Sequence, residues 1–467
     1  MPVSPARAAA FDILLRVERE SSYAAESLHS ATYARLSALD HALATELVMG
    51  VLRWRSRLDD EIAGASSQPI SKLDLEILIA LRLAVYQMRR LDRVPQRAAL
   101  HESVELVKRA RKRSAAPFVN AVLRKLSATP QNREPLSSNL LPGNVLPGNE
   151  SDSAETLARS LAHPLWLVER WIRDYGLPAA RQICQHDQSA PITAIRLRTP
   201  AAEAALRQEG ISLTPGGLLA SARRVAAGAI TETHAFRTGQ VVIQDEASQL
   251  VAALVGPARP EQESATASRI LDCCAAPGGK TLAIADQNPG ATITALDIYP
   301  HRARLLRKLL RQSHSGGQIQ VVAADARSLP MSLRFHRVLA DVPCSGTGTL
   351  ARNPEIKWRL RPTDLAELQA RQSAILRSAL AQVAPGGRLV YSTCSLEKEE
   401  NEDILEQVLA GNNSFRLLDC RAELARVQGS GELTWPDPTS LARGPYLRTI
   451  PGIHPCDGFF AAVLERI

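Results

Sequence analysis

Two cysteines stand where apolar strand candidates give way to turns: Cys344 in Asp341–Gly348 (DVPCSGTG) and Cys394 in Tyr391–Ser395 (YSTCS). Pro343 cannot continue a hydrogen-bonded ladder, so Cys344 falls in the turn after its strand. Cys394 lies between hydroxyl residues rather than apolar ones. A single Cys is ordinarily a small buried hydrophobe. Two of them at the ends of neighbouring parallel strands, about 4.8 Å apart, can face one pocket. A thiolate that adds to carbon 6 of a pyrimidine makes carbon 5 an enamine carbon able to attack an electrophilic methyl group, and removal of the carbon-5 proton then expels the thiolate. A free thiol is only a few per cent ionised at neutral pH, so the pocket must lower its pKa or deprotonate it on demand. A carboxylate such as Asp341 suits the amino edge of cytosine.

A third string, Cys274–Thr281 (CAAPGGKT), runs from an apolar strand into a turn where Gly278 and Gly279 open a helix. Small residues there let backbone approach a ligand, and the free amides at the helix start are donors. Neither GxxxxGK[ST] nor GxGxxG is present, so the turn is neither a P-loop nor a dinucleotide fingerprint. Asp297 ends the next strand candidate, 18 residues after Gly279, where a carboxylate accepts both ribose hydroxyls of an adenosine. Asp325 ends the third and can take an adenine amino group. A lone acid after a strand is usually a helix cap; these acids in register with a glycine turn indicate a cofactor.

The elements that must position these groups alternate from Arg269 onward. RILDCC, ATITALD, QIQVVAAD, HRVLAD and GRLVYSTC read as strands, and GGKTLAIADQ, HRARLLRKLLRQ and LAELQARQSAILRSALAQV as helices between them. Such alternation predicts an α/β fold, a doubly wound, mostly parallel sheet with ligands at the carboxyl ends of its strands. Residues 1–128 read as an all-helical unit, with apolar residues three and four apart in FDILLRV, ATELVMGVLRW and LDLEILIALRLAVYQM and a break at Pro117. Residues 129–156, with LPGN repeated at Leu141 and Leu146, read as a linker. Residues 157–238 read as a small α+β unit, and 239–467 as the catalytic domain; 257–267 is a second loose stretch.

Composition is that of a globular protein: 22% charged and 45% hydrophobic residues in a chain of 467. No apolar run reaches the 18 residues of a membrane span, and the N-terminus has no signal-peptide pattern. Seven cysteines without a CxxC pair argue against a disulfide framework or a zinc site and for a reducing, cytoplasmic compartment. Cys184, Cys273, Cys420 and Cys456 read as structural. Between Arg89 and Lys125, eleven Arg or Lys face three acids, a local charge of +8 equal to that of the whole chain. Such clustering is the footprint of a polyanion partner, although a lone KRARKR run is more often a solvated helix face. Aromatic residues make up only 4%, which disfavours base stacking along an open sheet and favours phosphate contacts from Arg109, Arg111, Lys112 and Arg113, with one cytosine extruded into the thiol pocket.

CAAPGGKT, DVPCSGTGTLARNPEIKW and YSTCSLEKEENE together resemble the motifs of the RNA cytosine-5 methyltransferases of the Nol1/Nop2/Sun class, and most closely the bacterial Fmu/Sun branch that acts on 16S ribosomal RNA. IQDEAS (Ile243–Ser248) and DGFF (Asp457–Phe460) match that class too, and the helical N-terminal unit is similar to its NusB-like RNA-binding domain. The resemblance implies a Rossmann-like class I methyltransferase domain, Cys394 as nucleophile, and Cys344 as the residue assisting breakdown of the covalent intermediate and product release; nothing in the sequence demands a metal or more than a monomer. It implies S-adenosylmethionine held by Cys274, Ala275, Ala276, Pro277, Gly278, Gly279, Lys280, Asp297, Asp325 and Asp341, with Asp341 touching cofactor, cytosine or both. In the DNA enzymes the Pro-Cys thiol attacks; the second strand-end thiol in TCS selects the RNA type here.

Two rivals remain: the same reaction on tRNA, and a non-catalytic RNA-binding assembly factor, which intact thiols and glycine turn oppose. An amino-group methyltransferase would carry an aromatic residue where Cys344 stands, and is rejected.

Overall fold

The computed structural model describes residues 3–20, 22–33, 35–128, 153–257, 268–312, 318–329 and 333–467. Both LPGN repeats and nearly all of the expected loop at 257–267 lie outside the described residues.

The chain forms two compact units, Met1–Ala190 with Leu350–Arg359, and Pro191–Thr349 with Leu360–Ile467. In the first, the helices Pro5–Glu20, Ala38–Ala65, Leu75–Arg90, Gln96–Arg109 and Ala116–Ala128 surround one apolar core. Leu47, Val51, Leu58 and Ile62 recur at helical spacing and are buried, and each such side chain contributes roughly 1.5–3 kcal/mol. Ser37 caps the long helix by accepting the amide of Asp40 at 3.1 Å. Gly50 lets Tyr86 close on that helix, since a Cβ there would sit 1.9 Å from the ring. Pro117 lies in the first turn of Ala116–Ala128, where its missing N–H is no loss. Ser153 caps a helix over Ala154–Ser160, so helical structure begins before the expected linker end at 156.

The residues expected to form one small α+β unit fall in both. The helices Leu165–Tyr175 and Leu177–Asp187 belong to the first unit. The second begins with an antiparallel sheet, β2-β3-β1-β4, of β1 (Ala194–Leu197), β2 (Ser212–Pro215), β3 (Ala222–Ala227) and β4 (Val241–Ile243).

The large sheet contains β5 (Arg269–Asp272), β6 (Thr292–Asp297), β7 (Gln318–Ala323), β8 (Phe335–Asp341), β9 (Val383–Thr393), β10 (Phe415–Leu418), β11 (Ala442–Arg443), β12 (Tyr446–Arg448) and β13 (Phe460–Arg466). Its order is β11-β12-β13-β9-β8-β5-β6-β7, with β10 on β13. β9, β8, β5, β6 and β7 are mutually parallel, so the expected doubly wound core is present, and its direction of winding reverses between β5 and β8. Ligands bind at that switch point, beyond the carboxyl ends of the strands. The antiparallel edge formed by β10 to β13 has no counterpart in the sequence reading.

Candidate active site

The turn after β5 is sewn into the sheet by Cys273 N–H to Leu339 O (2.9 Å) and Ala275 N–H to Leu296 O (2.7 Å). Ala276 and Pro277 follow, and Gly278 adopts φ +118°, a conformation open to glycine and costly for other residues. A Cβ on Gly278 would lie 2.7 Å from Leu306 Cδ1, and one on Gly279 3.4 Å from Gln244. Lys280 then points its Nζ at Asp341 Oδ2 (2.7 Å), while Asp341 Oδ1 accepts the Ser392 hydroxyl (2.7 Å). Burial alone would lower the Lys280 pKa; the Asp341 carboxylate outweighs it and holds the ammonium above its ordinary range. One turn earlier, burial pushes Asp272 up to about 7 against the hydrogen bond from Thr281.

Asp297 is buried at the end of β6, accepts Tyr299 N–H at 2.9 Å and lies 3.7 Å from Arg302. Asp325 faces Arg327, whose Nε donates to both carboxylate oxygens and whose terminal nitrogen donates to Oδ2, and these bonds keep the acid below its usual range. Cys274 remains partly exposed beside this turn; burial and the neighbouring groups raise its thiol well above the ordinary range.

β8 and β9 pair Asp341 with Ser392, which brings the two strand-end turns together. Cys344 Sγ and Cys394 Sγ lie 3.2 Å apart, both partly exposed. The hydrogen bond to Cys394, and then burial, hold the Cys344 thiol well above its ordinary pKa. Gly348 N–H donates to the Cys394 carbonyl at 2.9 Å, and Gly458 N–H to the Gly348 carbonyl at 2.8 Å. A Cβ on Gly348 would fall 2.1 Å from Gly458 O, so this close crossing requires the glycine.

Beneath the thiols lies a carboxylate the sequence reading did not single out. Glu400 is fully buried. It accepts the Ser345 amide (2.8 Å), the Gln372 amide (2.8 Å) and the hydroxyls of both Ser345 and Ser395. Gln372 also donates to Pro343 O (2.9 Å), and Arg448 donates to Ser395 O (3.1 Å) while pairing with Glu402 (2.8 Å). Ser345 and Ser395 each follow a cysteine, so one acid fastens both thiol turns. The acid-rich string LEKEENE was visible, but nothing local separates Glu400 from its neighbours.

The basic window is only partly free. Arg109 pairs with Asp12 (2.7 Å) and Lys112 with Asp74 (2.9 Å). Arg111 and Arg113 are exposed and, among the described residues, face no carboxylate within 4 Å.

A doubly wound sheet with a glycine-rich turn after its first parallel strand and carboxylates at the ends of the next strands defines a class I methyltransferase. Residues 260–465 match the family described as 16S rRNA methyltransferase RsmB/F, and residues 4–128 match the NusB family. The chain is 32% identical to the probable ribosomal RNA small subunit methyltransferase B of Bacillus subtilis, covering 100% of both chains. It is 30% identical to the ribosomal RNA small subunit methyltransferase B of Vibrio cholerae, covering 98% of this chain and 97% of the other. The crystal structure of PH0851 superposes over 100% of both chains with a TM-score of 0.77 at 23% identity, a likeness of fold. The chain belongs to the ribosomal RNA small subunit methyltransferase B family and is an RNA methyltransferase.

S-adenosylmethionine is the cofactor of this class, and the residues fit it: a turn in which a Cβ on Gly278 would clash, and the strand-end carboxylates Asp297 and Asp341. Among the described residues no helix is long and apolar enough to cross a membrane, and no cluster of metal-binding side chains occurs.

Proposed function

We propose that the protein methylates carbon 5 of a cytosine in 16S ribosomal RNA through a covalent bond between Cys394 and carbon 6 of the base. The observation that carries this reading is the 3.2 Å approach of two thiols at the ends of adjacent parallel strands. The names of its relatives favour the small-subunit RNA as substrate.

S-adenosylmethionine, when bound, supplies an electrophilic methyl group. Cys394 as thiolate adds to carbon 6, and the electron pair displaced onto carbon 5 makes that carbon nucleophilic. Asp341, fixed by Lys280 and Ser392, stands at the floor of the site, where it can hold the amino edge of the base, the cofactor or both. Once carbon 5 is methylated, its proton passes to solvent water acting as base, the C–H electron pair restores the ring double bond, and the carbon 6–sulfur bond breaks to release Cys394 as thiolate. Cys344, 3.2 Å from that sulfur, donates an S–H hydrogen bond to it as it departs and so favours release. Lys280, Gly278, Gly279 and Asp297 serve the cofactor, together with Cys274, Ala275, Ala276 and Pro277 of the turn. Asp325 serves it only if Arg327 turns away. Arg111 and Arg113, with Arg109 and Lys112 when their carboxylate partners yield, contact RNA phosphates.

The test is transfer of labelled methyl to unmodified 16S RNA and to a tRNA pool, with a denaturing gel for protein-linked RNA. Label on the ribosomal RNA that vanishes in Cys394→Ala, and an adduct that lingers in Cys344→Ala, are the expected results. Label on tRNA alone overturns the substrate, and transfer surviving Cys394→Ala overturns the nucleophile.

A further inference from the structure

We propose that the helix Pro300–Gln312 of the catalytic unit carries a second phosphate-binding face, one that grips the backbone of the substrate RNA beside the methyl-transfer site. The inference rests on the reading of the substrate as RNA and names a surface for it outside the basic window at 89–125.

The pattern is compositional first. From Ile298 to Ala324 there is no Asp or Glu, yet Arg302, Arg304, Arg307, Lys308 and Arg311 fall within that stretch. A merely solvated helix face is ordinarily laced with both signs. The fold then sorts these residues. Ala303, Leu306 and Leu310 are buried, and Leu306 and Leu310 pack with Ala275, Leu282 and Ala295 under the cofactor turn. Arg304, Arg307, Lys308 and Arg311 repeat at steps of three, one and three, which gathers them on the other side, and all four are exposed. The seven rises of 1.5 Å from Arg304 to Arg311 span about 11 Å, the length of about three phosphates along one strand of a duplex.

Their partners decide between a structural and a binding role. Among the described residues none of the four lies within 4 Å of a carboxylate; Arg307 donates to the backbone carbonyl of Val321 at 3.0 Å. In the N-terminal unit, by contrast, Arg89, Lys108, Arg109 and Lys112 are each engaged by an acid. Four exposed cations with no acid between them repel one another, a cost that an arriving polyanion removes. Leu305, 63% exposed at the flank of the stripe, adds apolar surface that water does not favour.

The placement suits the reaction. The helix starts three residues after Asp297, and Arg302 at its first turn donates to Ala276 O at 3.2 Å. The element that closes the cofactor cradle therefore bears the cationic stripe, which starts near the carboxyl ends of the parallel strands at Arg304 and runs back along the sheet toward the start of β7. A rival use of the charges is protection of β7, the last strand of the sheet, against pairing with another chain.

The experiment uses the full chain with Arg304, Arg307, Lys308 and Arg311 all changed to Gln. It measures 16S RNA affinity from low to high salt, binding of S-adenosylhomocysteine, and light scattering. The expected result is a salt slope shallower by about 2–3 in log K against log salt and affinity down at least about 10-fold at low salt, with S-adenosylhomocysteine binding retained. In the wild type, photo-crosslinks to RNA should map to peptides from 299–312. Should the quadruple variant misfold, the pair Arg304→Gln and Lys308→Gln should flatten the slope by about half as much. A wild-type slope in a folded variant, or increased self-association with RNA binding unaltered, overturns the proposal. A wild-type chain that binds no RNA overturns the substrate reading beneath it, and is told apart because it needs no variant.

Discussion

Cys344 and Cys394 bring their sulfurs to 3.2 Å although 50 residues separate them in the chain. The contact is held from below, where Glu400 binds the hydroxyls of Ser345 and Ser395. Two strand ends and one carboxylate thus set the thiol geometry.

Cys344 is held protonated first by its hydrogen bond to Cys394 and then by burial. Brief iodoacetamide treatment at neutral pH should alkylate Cys394 ahead of Cys344, as read by peptide mass spectrometry, because the thiolate is the reactive form. Cys394→Ala removes the larger cause, so Cys344 should react faster in that variant than in the wild type. Earlier modification of Cys344 in the wild type would refute the assignment.

Glu400 acts through the residues it positions. Glu400→Gln keeps an acceptor and one contact to each turn, and should retain the fold with reduced turnover. Glu400→Ala removes the acceptor of the Ser345 amide, the Gln372 amide and two hydroxyls, at about 1–3 kcal/mol for each donor left unsatisfied when no water replaces it. We expect a lowered denaturation midpoint and a fall in kcat of at least about 10-fold with little change in KM. Equal activity in Glu400→Ala and wild type would mean the thiols are placed by the strands alone.

Gly278→Ala forces a side chain into φ +118° and 2.7 Å from Leu306, a strain of about 1–3 kcal/mol. Calorimetry should show S-adenosylhomocysteine binding weakened at least about 10-fold. Gly290→Ala is the control, since Gly290 also has positive φ (+89°) but open space around its Cβ position; it should lose stability while keeping affinity.

Lys357, from the Leu350–Arg359 segment, is buried in the N-terminal unit with no hydrogen-bond partner for its Nζ among the described residues, and burial lowers its pKa to about 7. Between about 7 and the ordinary 10.5 the unfolded chain holds this proton and the folded one does not, so stability rises with pH across that window. Below it, the unfavourable contribution is constant and on the order of a few kcal/mol. Denaturation from pH 6.5 to 9.5 should show the wild type gaining stability relative to Lys357→Met, with the variant more stable at pH 6.5. Parallel curves would show that the ammonium is solvated or paired.

Much of this architecture was open to a reading of residues in order. RILDCC, ATITALD, QIQVVAAD, HRVLAD and GRLVYSTC became the five parallel strands, because strand alternation with helical periodicity is a local property that neighbouring residues enforce. The all-helical N-terminal unit was legible on the same grounds, and the motif strings led to the family. The antiparallel strands β10 to β13 escaped because they pair across the chain, Phe415 with Arg466 for example, and β10 to β12 are also short.

Residue order alone thus determined the fold class, the family, and the strand ends at which Cys344, Cys394, Gly278 and Asp297 stand, since turn chemistry and hydrophobic period are set within a few residues. The tertiary structure alone decided which groups meet. It chose Glu400 among the acids of LEKEENE, set Arg327 against Asp325, gave Asp12 to Arg109 and Asp74 to Lys112, and left the stripe from Arg304 to Arg311 without acids among the described residues. Those outcomes depend on distances between residues far apart in the chain, and only packing fixes such distances.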